Sequence, residues 1–152
     1  MARALKQLEH LPVWTVIRLC TDEDDVGDYW SGIDDNIELQ MDVLDDLAGE
    51  AKEVKMYNPC VTYCEQLHRL RENGARIKVF DFLDEKRLFP AELRTLMSVV
   101  IGGNENDYTH PDVDFDAFVQ DCSTAIQRTK MVYDPFRKQL KHIIDPKVPP
   151  SL

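Results

Sequence analysis

The chain has 152 residues, 43% of them apolar, which suits one ordinary globular domain with a sizeable core. Its net charge of −10 is concentrated at the front: residues 1–53 carry fourteen acids against four bases, and residues 54–152 are neutral overall. A face this acidic repels phosphate backbones and anionic lipid, which excludes nucleic acid and membrane surfaces as favoured partners and leaves cations or basic protein segments.

Residues 3–10 are compatible with a short helix. Val13-Trp14-Thr15-Val16-Ile17-Arg18-Leu19-Cys20 then forms a nearly continuous apolar run, the pattern of a strand buried on both faces in a parallel sheet. Thr21 followed by Asp24 imitates a capping box and predicts a helix over 22–34, with the acids of its first turn complementing the helix dipole. A second strand fits 38–44, a helix 48–56, and a further helix 61–73 stopped by Gly74. Ile77, Val79, Phe80 and Phe82 predict a third strand.

The next helix starts at Pro90, suited to a first helical position, and stops at Gly102-Gly103. Residues 103–112 read as a polar loop and internal hinge. The last third is expected to be helical, with Phe115, Phe118, Cys122 and Ile126 as its apolar stripe. Asp134-Pro135 kinks or restarts it, and Pro149-Pro150 ends the ordered chain. The elements predict an α/β fold, a small, mostly parallel sheet of about three strands flanked by helices, with a C-terminal helical segment. Residues 1–103 would form the α/β core, and residues 104–152 a polar loop and C-terminal helices packing on the same domain.

No run approaches a transmembrane span and the first residues lack the apolar stretch of a signal peptide, so the expected location is cytoplasmic. Cys20, Cys60, Cys64 and Cys122 show no disulfide spacing and read as reduced, mostly buried thiols.

Leu11-Pro12-Val13-Trp14-Thr15-Val16-Ile17, an acidic loop, a helix and the strand Leu39–Leu44 follow one another in an order that resembles the C-terminal half of a von Willebrand factor A domain, over residues 3–56. That resemblance implies alternating strands and helices with an ion site at one sheet end. The Asp-x-Ser-x-Ser that opens the family's metal site does not occur here, and after Thr21-Asp22 stands Glu23 where the family usually has Gly. Half of the ion site would then be absent.

Several groups of residues carry chemistry. Asp22, Asp24, Asp45 and Asp46 are the candidate ligands for a divalent cation, Ca2+ or Mg2+, because parallel strands would bring both acidic groups to one sheet end, where α/β folds bind ligands. Capping explains the same acids, with Asp46 as the oxygen that opens the 48–56 helix and Glu50 in its first turn. Counted from Asp22, the calcium-loop pattern fails, with Val26 at the fifth position and Ile33 at the twelfth.

Cys60, Cys64 and His68 recur every four residues, but three such positions span two helical turns, too far for one zinc ion. No phosphate loop, nucleophile elbow or His-Glu-x-x-His occurs, and His10, His68, His110 and His142 are scattered. The expectation is therefore a non-catalytic protein–protein interaction module without cofactor. It would self-associate as a homo-oligomer through a sheet edge or helix face and present its acidic surface to a basic protein segment. A cation-dependent binding or hydrolytic site at the acidic sheet end is the alternative.

Overall fold

The computed structural model describes every residue except Met1, Asp22, Asp35, Glu38, Gln40, Arg76 and residues 146–152. The chain is mixed α/β. Strand β1 (Thr15–Arg18) pairs in parallel with β2 (Met41–Leu44), in the register Thr15 to Met41 and Arg18 to Leu44. Helix α2 (Asp24–Asp34) makes the crossover between them, preceded by the short helix α1 (Ala2–Leu5). A parallel pair needs such a crossover because both strands must run the same way.

Both strands prove to be edges. β1 is only half-buried along Thr15, Val16 and Ile17, Arg18 is exposed, and Val13 lies 36% exposed outside the strand. The apolar run at 13–20 therefore does not occupy the middle of a sandwich. One face of the pair rests on a small cluster of Ile33, Ile37, Leu39 and Met41, with Leu5, Leu8, Ile17 and Trp30 packed around it. Gly74, at φ +69, brings the end of α4 against β1: a Cβ there would stand 3.1 Å from the ring of Trp14.

The main core lies further along the chain. Helices α3 (Leu47–Tyr57), α4 (Glu65–Glu72), α5 (Lys78–Glu85), α6 (Pro90–Ile101) and α7 (Phe115–Gln127) surround it. Val54, Leu67, Phe80, Leu83, Leu96 and Phe118 are among its most buried side chains. Of the stretch expected as a third strand, Val79, Phe80 and Phe82 lie in α5 and Ile77 is the extended residue before it. Val79, Phe80 and Leu83 fall on one helical face, and Asp81, Asp84 and Glu85 stand outside that buried row. An apolar run this short is ambiguous between the two periods.

Buried Asn58, capping α3, joins the α5–α6 turn to the core. Its amide donates to the carbonyls of Leu83 and Lys86, each at 2.8 Å, and its oxygen accepts from the Leu88 amide at 2.8 Å. The α6 start adds a second such contact, the Glu92 carboxylate accepting from the Phe89 amide at 2.8 Å.

Among the described residues, the chain beyond α7 forms no further helix. Val132–Asp134 (β3) and Gln139–Lys141 (β4) form an antiparallel hairpin, so Asp134-Pro135 turns the chain back instead of restarting a helix. The Asp134 carboxylate accepts from the Arg137 amide at 2.9 Å and Lys138 takes a left-handed φ of 54°. That turn contains no glycine, which is why the sequence does not announce it. Beyond the hairpin, Ile143 and Ile144 enter the main core, and the chain pairs antiparallel with residues 60–62. Among the described residues no helix is long and apolar enough to cross a membrane. Pro149-Pro150, expected to end the ordered chain, lies outside the described residues.

Candidate functional site

The parallel pairing sends both strand ends the same way. Leu19 follows β1 and its amide donates to the Leu44 carbonyl at 2.8 Å, so Thr21 and Glu23 emerge beside Asp45 and Asp46. Between them opens a cleft of about 840 Å³. The loop before α2 and the helix itself contribute Glu23 and Asp28, the end of β2 contributes Asp45, and the first turns of α3 contribute Asp46 and Glu53. Asp84 reaches the cleft from α5, and Lys52 is its basic lining residue.

Each α3 acid has a distinct local role. Asp46 is the N-cap, accepting from the amides of Ala48 and Gly49 at 2.7 Å each, as expected for an Asp before a helix. The Asp45 carboxylate lies against Gly49, where a Cβ would collide with it. Glu50 turns inward to accept from the Asp45 amide at 2.9 Å and meets Arg71 at 2.6 Å. Burial pushes the Glu50 carboxyl up to about 8, Arg71 opposing and Asp84 reinforcing the rise.

Arg71 of α4 is 3% exposed and is the hub beneath the cleft. It contacts Glu50, Asp84 at 2.9 Å and Asp42 at 3.1 Å, so one guanidinium joins α3, α5 and β2. Burial works against its charge, but Glu50, Asp84 and Asp42 outweigh it and Arg71 stays protonated. A planar fork of donors suits this multiple pairing as a lysine would not. Higher in the cleft, burial and then the charges of Asp84 and Asp45 raise the Glu53 carboxyl above its ordinary value. Negative charge is crowded there.

The structure brings Asp45 and Asp46 to the same cleft, from the strand end and the helix cap. Asp22 lies outside the described residues, and of Asp24 only the backbone is described, as the first residue of α2. The amide of Glu23 donates to the Thr21 hydroxyl at 3.3 Å in the turn ahead of α2, which starts at Asp24, so Thr21 does not cap the helix as expected. Cys60, Cys64 and His68 do not share a helix face. Cys60 sits in the turn after α3, Cys64 occupies the N-cap position of α4, and the buried His68 ring lies 3.1 Å from the Tyr63 hydroxyl. Cys60, Cys64 and Cys122 are buried free thiols and Cys20 is exposed. Among the described residues no group of three or more His, Cys, Asp or Glu side chains is arranged to hold a metal ion.

Sequence reasoning missed Arg71, Asp42 and Asp84. Their separations of 29 and 13 residues leave no local signal, and a basic residue in the last turn of a helix already has an explanation in the helix dipole. Compared with protein-family models, with curated proteins and with solved structures, the chain matches none.

Proposed function

We propose that this chain is a non-catalytic interaction module that receives a basic segment of a protein partner in the acidic cleft at the C-terminal ends of β1 and β2. The observation that carries this reading is the crowding of Glu23, Asp28, Asp45, Glu53 and Asp84 around one concavity whose basic lining residue is Lys52. The Glu53 carboxyl, raised by burial and then by the charges of Asp84 and Asp45, is relieved when a cation docks beside it. The half-buried β1, with β2 as its strand partner among the described residues, supports a self-associating module, because unpaired edge groups favour additional pairing. Kinship to the C-terminal half of a von Willebrand factor A domain is part of the same proposal, supported by the β1–α2–β2–α3 order.

A cleft of about 840 Å³ lined by acids from β2, α3, α5 and the α2 region suits a chain of basic side chains better than one compact ion. Of the expected cation ligands, Asp46 is committed to two α3 amides, and neighbouring Glu50 is committed to Arg71. Calorimetric titration of an arginine hexapeptide tests the reading. The wild-type chain is expected to bind it, and the double variant Glu23→Lys/Glu53→Lys to bind roughly tenfold or more weakly, with affinity falling as salt is added. Equal binding by both proteins contradicts it. Calcium or magnesium heat in the absence of peptide would favour the cation alternative.

A further inference from the structure

A second charged surface lies beside the last turn of α3. Residues 128–141 carry Arg128, Lys130, Arg137, Lys138 and Lys141 against the single acid Asp134, which is buried and turned into its own hairpin. Lys55 of α3 stands 6.0 Å from the Phe136 ring, and its pKa is lowered by burial and then by the charges of Arg137 and Lys141. Asp145 lies 4.0 Å from Lys141 and offsets part of this charge, which leaves Arg137 and Lys138 as the exposed cations of the hairpin turn.

The hairpin also presents apolar surface. Tyr133 and Leu140 are cross-strand partners and are 52% and 63% exposed, while the neighbouring Val132 packs against the main core. An aromatic–aliphatic pair left in water beside basic side chains has the makeup of a docking edge, with an apolar centre and a charged rim. Among the described residues nothing covers it.

We infer that the basic segment received by the acidic cleft is the β3–β4 hairpin of a second copy of this chain, so that copies join head to tail. The inference rests on the reading of the cleft given above and names its occupant. Its argument is charge complementarity on one molecule. The cleft gathers Glu23, Asp45 and Glu53, and the hairpin turn presents Arg137 and Lys138 near Lys55 of α3. Glu53 in the cleft and Lys55, 6.0 Å from the Phe136 ring, are two residues apart on α3 and so about 200° apart around it, which places cleft and hairpin on opposite sides of the helix. A hairpin held there cannot fold back into its own cleft. A contact between two different patches is heterologous, so each bound copy leaves one cleft and one hairpin free, and the assembly grows or closes as a ring.

Sedimentation velocity on the full chain tests this. In low salt the wild-type chain is expected to gain mass with concentration and to lose it as salt is raised. Two variants disable one patch each: Glu23→Lys/Glu53→Lys for the cleft and Arg137→Glu/Lys138→Glu for the hairpin. Each alone is expected to sediment as a monomer. Their equimolar mixture is expected to form a 1:1 dimer that grows no further, because one supplies the intact cleft and the other the intact hairpin. All four substitutions alter exposed side chains, and should a thermal melt show either variant unfolded, Glu53→Gln and Arg137→Gln take their places. A wild-type chain that stays monomeric at its highest soluble concentration overturns the inference, as does a mixture that stays monomeric. If the arginine hexapeptide still binds the cleft in that case, the cleft reading survives its proposed occupant. If the peptide also fails, both fall together.

Discussion

The β1–α2–β2 layer and the helical body behind it divide the work of the molecule unequally. The layer is thin: its small cluster centres on Ile33, Ile37, Leu39 and Met41, and its first strand is half in water. The body buries Leu83, Leu96 and Met97 completely and draws residues from Ala51 to Ile144 into one core. The strongly apolar run of the sequence thus belongs to the weaker region, while unremarkable helical patterns carry the stability. The comparison teaches that a run's hydrophobicity reports its local contacts and not its rank in the fold. Charge follows the same division, with the acidic cleft facing the layer and Arg71 tying layer to body.

The sharpest way to break that tie is Arg71→Met. It leaves Glu50, Asp42 and Asp84 without their shared cation and is expected to cost about 3–5 kcal/mol, read by urea unfolding. A loss below about 1 kcal/mol would mean that layer and body are held together by something else.

A pair of truncations then compares the two clusters directly. Leu96→Ala, fully buried in the body, is expected to cost about 2–5 kcal/mol and to accelerate hydrogen exchange throughout the chain. Ile33→Ala, 7% exposed in the small cluster, is expected to cost less and to speed exchange mainly in β1, α2 and β2. Equal costs would remove the distinction between the regions.

Much of the layer was legible in the sequence because its signals are local. Asp46 before an apolar-periodic stretch marks the start of α3, and parallel strands ending in acids place Asp45 and Asp46 at one sheet end. Pro90 and Gly102 bracket α6 for equally local reasons. Where contacts are distant the sequence is silent. Nothing near Asn58 says that its amide will hold a turn 25 to 30 residues away, and Glu50 looked like a first-turn acid until Arg71 drew it inside. The hairpin escaped for another reason, since Lys138 fills the left-handed position that glycine or asparagine usually marks.

The pH dependence of stability sharpens the role of the Glu50–Arg71 junction. Glu50 rises from 4.5 to about 8 on folding, so the folded chain holds the extra proton between those values. Its contribution is complete below 4.5 and is lost as pH rises through about 8. His68, lowered by burial, works oppositely, contributing above its ordinary pKa and losing that contribution as pH falls. Thermal melts are therefore expected to show stability declining towards pH 8, and Glu50→Gln to flatten that decline. An unchanged slope in the variant would place the titration elsewhere.

The smallest expected effect on stability is the most specific for the cleft. Gly49→Ala puts a methyl where the Asp45 carboxylate lies, and alanine favours a helix over glycine by up to about 1 kcal/mol. The variant is expected to melt at or slightly above the wild-type temperature while binding the arginine hexapeptide more weakly, because Asp45 must swing away. Unaltered binding would remove Asp45 from the site.

Amide chemical-shift mapping of the folded chain during titration with the arginine hexapeptide tests the cleft assignment most directly. Saturable shifts are expected at Thr21, Glu23, Asp28, Asp45 and Glu53, with β3 and β4 amides moving only as far as the peptide displaces the hairpin of a second copy. Shifts spread evenly over the surface, or centred away from the ends of β1 and β2, would contradict it.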